Sequence, residues 1–355
     1  MKTAVSLRNL TKKFNEVTAL NDITLDIYPQ DFFFLLGPSG CGKTTLLKII
    51  GGLEFPTEGS ITILDKDVTR VRANKRNTSM VFQEWALFPH MSVYDNIAFG
   101  LKKRKFDKQT ITRKVEELLE LLHMSGYQNR MPYELSGGQQ QRVAIARSLA
   151  IEPDVLLLDE PLSNLDLALR QQMRVELVRL HKEINKTFVY VTHDQTEALS
   201  MANRIAVMNM GEVEQLDAPE TIYKQPKNEY VAKFIGEANE IKGSLAESTL
   251  FIADSGLEIR VPAQDFDNNS RVLFVVRPEE IKLLSPEEEP PENHFRARVD
   301  TVSYFGRQLR LYVKLLDCGE ILFIDIFSTQ LKAEIEPNQE ILVGWNPSQT
   351  FCFQG

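Results

Sequence analysis

The sequence predicts an α/β domain built on a parallel sheet, followed by a small all-β domain. Three observations carry this. Short apolar runs alternate with amphipathic helical patterns over the first 237 residues. Near Asn239 the texture changes to short strands separated by turn residues, with no long helix. And 355 residues exceed what one hydrophobic core organises, since single cores stop growing at about 250–300 residues.

The opening VSLRNLTKKFNEVTALNDITLDIY, residues 5–28, reads as a small antiparallel sheet at the side. DFFFLLG (31–37), TSMVF (78–82), DVLLLDE (154–160) and TFVYVTH (187–193) are continuous apolar runs, the pattern of strands buried on both faces. Between them, Ile111, Val115, Leu118, Leu119 and Leu122 recur at helical spacing, as do Leu169, Met173, Leu177, Leu180 and Ile184. Such alternation places helices on both faces of a parallel sheet.

Beyond the boundary, LFIADSGLEIRV, RVLFVVRPEEIKL, RARVDTVSYFGRQLRLYVKLLDCGEILFIDIF and ILVGWNPSQTFCF form the pattern of a compact β-barrel or sandwich. SPEEEPPE, residues 285–292, cannot pack a core and is expected to be a solvated loop. The expected domains are therefore 1–237 and 238–355.

Composition narrows the function classes. With 43% hydrophobic and 25% charged residues the chain is an ordinary globular one. It has no apolar run near the roughly 18 residues that span a bilayer, and MKTAVSLRNLTKKF lacks a secretory core, so a cytosolic setting is expected. Cys41, Cys318 and Cys352 are far apart, which suits a reducing compartment, and the scattered histidines suggest no Cys/His metal site. From Ala238 onward there are 19 acidic and 11 basic residues out of chain totals of 49 and 41, so the net charge of −8 belongs to the tail. Neither part has the basic excess of a nucleic-acid binder.

GPSGCGKTT, made of Gly37, Pro38, Ser39, Gly40, Cys41, Gly42, Lys43, Thr44 and Thr45, lies between an apolar strand and the helical TTLLKIIGGL. That context reads as a phosphate-binding P-loop: the glycines let backbone N–H groups face phosphate oxygens, Lys43 reaches the β- and γ-phosphates, and Thr44 offers its hydroxyl to Mg²⁺. VLLLDEP ends a strand in two carboxylates with separate tasks, Asp159 ordering Mg²⁺ and Glu160 polarising an attacking water. His193 ends a further strand; a lone histidine there is usually structural, and beside a P-loop its imidazole can reach the γ-phosphate and the water. Gln83, at the end of the TSMVF strand, can sense the same phosphate or Mg²⁺, or can simply leave the sheet. Ser136, Gly137 and Gly138, before the helix QQQRVAIARSLA, offer a hydroxyl and free N–H groups without a lysine; this suits a phosphate receptor that completes a site, and equally a serine cap on a core helix.

In order along the chain, GPSGCGKTT, Gln83, LSGGQ (135–139), LLLDEP, SNLD (163–166) and His193 resemble the Walker A, Q-loop, signature, Walker B, D-loop and H-loop of ABC transporter ATP-binding subunits, over roughly residues 4–237. The resemblance implies a RecA-like P-loop ATPase domain with a helical subdomain at about 84–150. It implies ATP and Mg²⁺ as ligands, with Ser136, Gly137, Gly138, Gln139 and Asp166 closing over ATP held by the P-loop of a second copy docked head to tail. It also places Phe14 against the adenine, although a core position suits that residue as well. EWALFPHMSVYDNIAFGL would line a groove for a short cytoplasmic helix of a membrane permease, or serve as subdomain core.

VRPEEIKL, FGRQLRLYV and GWNPSQTF resemble the transport-associated OB-like domain of importer ATPases for polyamines, ferric iron, maltose and related solutes. Together the two resemblances imply an ATP-hydrolysing translocase subunit of an importer, peripheral on the cytoplasmic face of the inner membrane and fed through its permease by a solute-binding protein. Polyamine is the first expected cargo and ferric iron the second. Trp85 stands where that group often has tyrosine, with no expected effect on the chemistry. A soluble ABC ATPase of DNA repair or translation would need a long coiled-coil insertion or a second ATPase half with a basic arm, and the chain has neither. A third reading gives the acidic tail a sensing role, binding a regulator or solute.

Overall fold

Burial on both faces defines the central strands. In the computed structural model, which describes residues 2–354 apart from 268, 286, 288 and 331–333, the chain clusters into two units, Met1–Gln225 and Pro226–Gly355. The first opens with β1 (Val5–Phe14) and β2 (Val17–Ile27), then β3 (Phe32–Leu36) runs into α1 (Lys43–Gly51). There follow β4 (Glu58–Ile63), β5 (Lys66–Asp67) and β6 (Thr78–Val81), then three helices, α2 (Val93–Lys103), α3 (Lys108–Leu121) and α4 (Gly137–Leu149). β7 (Val155–Asp159), α5 (Leu167–Ile184), β8 (Thr187–Thr192), α6 (Gln195–Met201), β9 (Arg204–Asn209), β10 (Glu212–Asp217) and α7 (Pro219–Lys224) complete the unit.

One sheet is antiparallel, in the order β2-β1-β4-β5; the other runs β10-β9-β3-β8-β7-β6, parallel except at β10. Every residue of β3, β7 and β8 is buried, as their uninterrupted apolar runs predicted. Alternation sends Phe33 and Leu35 into a cluster with Leu46, Leu47, Ile49 and Ile50 of α1. On the opposite face Phe34 stacks on Tyr190 at 4.4 Å and Phe32 on His181 of α5 at 4.8 Å. Each such side chain contributes about 1.5–3 kcal/mol when buried. The buried Arg76 closes the far end of α1, donating to the carbonyls of Ile49 (2.6 Å) and Ile50 (2.9 Å), and burial lowers its pKa to about 10.

Three boundaries differ from the sequence reading. β6 stops at Val81, so Gln83 stands in the loop two residues beyond rather than at the strand end. Leu122 is the cap of α3 rather than a helical residue. α4 starts at Gly137, earlier than the polar run suggested, because Ser136 and Gln139 form a reciprocal cap.

The second unit begins with α8 (Glu229–Phe234), so residues 226–237, read from the sequence as the end of the first domain, cluster here. Arg277 binds them by donating to the carbonyls of Ala232 and Glu237. The unit then carries β11 (Asn239–Glu247), β12 (Leu250–Ala253), β13 (Glu258–Arg260), β14 (Arg271–Val276), β15 (Lys282–Leu284), β16 (Asn293–Tyr304), β17 (Gln308–Leu315), β18 (Ile321–Phe327), β19 (Glu340–Trp345) and β20 (Thr350–Gln354). These make two five-stranded antiparallel sheets, β13-β12-β11-β14-β20 and β15-β19-β16-β17-β18, in an OB-like arrangement around Phe251, Phe274 and Trp345. Two residues of the expected loop 285–292, 286 and 288, lie outside the described residues. No helix among the described residues is long and apolar enough to cross a membrane.

Candidate active site

The parallel sheet brings the C-terminal ends of β3, β7 and β8 to one edge, where α/β sheets receive ligands. From β3 the chain enters the Gly37–Gly42 loop. A Cβ on Gly37 would lie 2.4 Å from the Met208 carbonyl oxygen, and Gly42, at φ 102°, would place one 2.5 Å from the carbonyl oxygen of Ala19. Neither position admits a side chain. Gly42 caps α1 without a side-chain hydrogen bond, whereas α2 to α6 are each capped by a side chain, from Ser92, Asp107, Ser136, Asp166 and Asp194. The N-terminus of α1 therefore keeps its amides and partial positive charge for an anion. The buried Lys43 Nζ donates to the carbonyls of Gly37 (2.7 Å) and Pro38 (2.8 Å), bonds that a phosphate oxygen can replace.

β7 delivers the acid pair. Thr44 Oγ1 donates to Asp159 Oδ1 at 3.2 Å, tying the first turn of α1 to the strand end. Burial pushes the Asp159 carboxyl above its usual range, aided by the neighbouring Glu160 charge and opposed by the Thr44 hydroxyl. Glu160 turns away at φ 43° while its N–H donates to the Val191 carbonyl. Its Oε2 then meets Nδ1 of His193 at 3.1 Å. His193 sits on a braced loop: Thr192 Oγ1 accepts from the Asp194 N–H and donates to Glu197 Oε2 (2.8 Å), which also takes the Tyr190 hydroxyl (3.0 Å). Burial raises both the Glu197 carboxyl and the Tyr190 phenol.

The remaining candidates are arranged differently. Gln83 is exposed, and its carbonyl accepts from Asn164 Nδ2 at 3.0 Å. Ser136 Oγ accepts from Gln139 N, Gln139 Oε1 accepts from Ser136 N, and Gln139 Nε2 reaches Tyr127. The serine hydroxyl proton remains available to a ligand. The hydrogen bonds of Ser136 and Gln139 thus stay in the helical segment, while those of Lys43 and Thr44 stay in the loop and on Asp159. Asp166 caps α5 by accepting from Leu169 N. Phe14 lies at the end of β1, 44% exposed and so outside the core, with the Lys12 ammonium 4.6 Å above its ring.

The sequence pattern assigns no role to Glu197 and expects none for Trp85. Asp-Gln-Thr-Glu at 194–197 has the spacing of a helix-start motif and signalled an acid turned back toward the end of β8. Nothing in the sequence signals a contact for Trp85, whose indole N–H donates to the Pro161 carbonyl at 3.3 Å.

Residues 20–163 match the ABC transporter family and residues 274–353 the TOBE domain. The spermidine/putrescine import ATP-binding protein of Acetivibrio thermocellus is 48% identical over 302 residues, covering 85% of this chain and 84% of that protein. Its namesake from Thermotoga maritima is 41% identical over 364 residues, covering 99% and 98%. Among solved structures, cbiO1 of Clostridium perfringens, part of an ABC transporter complex, aligns with a TM-score of 0.59 at 28% identity, over 62% of this chain and 91% of that one. A dimeric ATP-binding cassette in a post-hydrolysis state bound to ADP and Pi aligns at 0.54 with 34% identity, over 61% and 98%.

Proposed function

The chain belongs to the ABC transporter family as an ATP-binding subunit with a C-terminal TOBE domain, and from that premise we propose that it hydrolyses ATP to drive spermidine and putrescine uptake through a membrane permease. The observation that carries the chemistry is the meeting of the uncapped α1, the Thr44–Asp159 bond and the Glu160–His193 pair at one sheet edge. The cargo assignment follows the names of relatives that match nearly the whole chain.

In this reading the amides of residues 37–45 and the Lys43 ammonium bind the ATP phosphates, and Phe14 stacks on the base. Glu160 orients and polarises the attacking water, and His193 holds Glu160 through Nδ1 while its ring reaches toward the γ-phosphate. Thr44, Asp159 and Gln83 would hold Mg²⁺; the hydroxyl, carboxylate and amide oxygens suit this hard cation. When bound, Mg²⁺ supplies positive charge to the phosphate oxygens. Ser136, Gly137, Gly138, Gln139 and Asp166 serve the nucleotide of a second copy in a head-to-tail dimer, which fits a signature loop that makes no bond to its own P-loop. The dimer works at the cytoplasmic face of the membrane beneath permease subunits supplied by a solute-binding protein.

The test is uptake of labelled spermidine in cells lacking this subunit. Wild-type chain restores it and Glu160→Gln does not; uptake that survives without the subunit refutes the cargo assignment. Labelled ferric iron in the same cells examines the alternative.

A further inference from the structure

The segment after Gln83 is held in a conformation its residues disfavour. Trp85 and Ala86 have φ of 57° and 46°, left-handed values that a bulky aromatic adopts only where its surroundings impose them. From α4, Arg147 donates to both carbonyls, Trp85 at 2.9 Å and Ala86 at 2.7 Å. The Trp85 indole N–H in turn donates to the carbonyl of Pro161, the residue after Glu160. The indole also lies against Gly137, where an added Cβ would stand 3.1 Å from the ring and 3.2 Å from Leu165. Adjacent to this contact, Asn164 holds the Gln83 carbonyl. One side chain thus touches both the start of α4 and the loop beyond the acid pair.

We propose that Trp85 is a positioning residue for ATP hydrolysis. Its indole is the spacer that sets the Ser136–Gly138 loop at a fixed distance from the Pro161–Leu165 loop of the same chain, and so fixes how this chain's signature is presented to nucleotide on a second copy. The proposal rests on the reading that Ser136–Gly138 completes a partner's site. Two features make the indole specific. Gly137 is matched to it, because the ring occupies the space a side chain would take. Phenylalanine would retain much of the contact but no donor for Pro161, and a tyrosine hydroxyl would place its donor elsewhere. The spacer acts at a distance from the reacting atoms, where a displacement of about 1 Å can cost about 100-fold in rate.

The test compares wild type, Trp85→Phe and Trp85→Ala for equilibrium ATP binding, kcat, KM and thermal unfolding. Trp85→Ala is expected to keep its ATP affinity within about 2-fold, since the P-loop is intact, while kcat falls by about 10–100-fold; Trp85→Phe should fall between. A folded Trp85→Ala with wild-type kcat overturns the proposal, and so does a parallel loss of affinity, stability and rate, which marks a purely structural role. The native chain gives a second readout because it has two tryptophans, and Trp345 is buried in the other unit. Saturating MgATP should change the emission of wild type and leave Trp85→Tyr unchanged. If Trp85→Ala does not fold, emission that is insensitive to nucleotide overturns the proposal. Lys43→Ala keeps the two readings apart: ATPase activity that survives in it refutes the site assignment itself, whatever Trp85 does.

Discussion

Nδ1 of His193 stands 3.1 Å from Oε2 of Glu160, joining the ends of two parallel neighbours in the sheet. The carboxylate keeps a fixed direction through a partner that is half exposed and open to ligand. Glu160→Gln preserves the shape but removes the basic oxygen, so turnover should fall by about 100- to 10,000-fold while nucleotide still binds. Size measurement in MgATP should then show a persistent dimer. A variant that stays monomeric with saturating nucleotide contradicts the two-copy site.

Lys43 makes its hydrogen bonds to the carbonyls of its own loop. Charge-assisted bonds to phosphate are worth about 1.5–3 kcal/mol each, so Lys43→Ala should weaken ATP binding by about 10- to 100-fold. Titration calorimetry reads this directly, and unchanged affinity would refute the phosphate role of the loop.

The legibility of this site depends on what positions each residue. Thr44 and Asp159 lie 115 positions apart, yet their meeting was legible, because each sits where a continuous apolar run or a glycine loop gives way to a polar residue at an element's end. Strand identity and chemical type suffice there. The Trp85 contacts were not readable, because they depend on a left-handed turn in residues that seldom adopt one. Gln83 moved from strand end to loop for a related reason: apolar runs mark strands well and their last residue poorly. In the tail, alternation revealed β structure, while the attachment of residues 226–237 depends on Arg277, buried among carbonyls that no sequence pattern indicates.

Geometry also changes the choice of signature variant. In the proposed two-copy site Gly137→Asp would place a carboxylate toward the partner's phosphate, and it would also press its Cβ to 3.1 Å from Trp85, so loss of activity in it mixes two causes. Ser136→Ala is cleaner: it removes the hydroxyl and a helix cap worth about 0.5–2 kcal/mol. ATP affinity of the monomer should hold while hydrolysis falls by about 10-fold or more, measured as kcat at saturating MgATP. Full turnover would remove the serine from the composite site.

Asp159 has a folded-state pKa raised above 3.8, chiefly by burial. The native state therefore binds this proton more tightly than the unfolded chain. The group's favourable contribution is complete below pH 3.8 and is lost as pH rises through the higher native value. Asp159→Asn abolishes that loss while keeping an acceptor for Thr44. Without nucleotide or metal at pH 7, the variant should be more stable, with a higher Tm for the first unit, and the gain should shrink toward pH 4. Turnover should drop in the same variant. A lower Tm at pH 7 would show that the carboxylate is favourably solvated.

Two asparagines close the tail domain reciprocally. Asn239, on β11 of one sheet, gives Nδ2–H to the Phe323 carbonyl (2.9 Å) and takes the Phe323 N–H (2.8 Å), so its amide pairs with β18, the edge of the other sheet. Asn293, on β16, does the same in return, taking the Arg260 N–H (2.7 Å) and giving to the Arg260 carbonyl (2.8 Å) on β13, the edge of the first sheet. Each side chain stands in for a strand that neither edge has, satisfying a donor and an acceptor where both asparagines are buried. Alanine at either position would leave two backbone groups unpaired, each costing about 1–3 kcal/mol, so each variant should lose about 2–6 kcal/mol in the tail. Aspartate keeps the acceptor but loses the donor and should lose more than half of that. Urea unfolding monitored by Trp345 emission measures it, and a midpoint unchanged in Asn239→Ala and Asn293→Ala would show that the sheets hold without these amides.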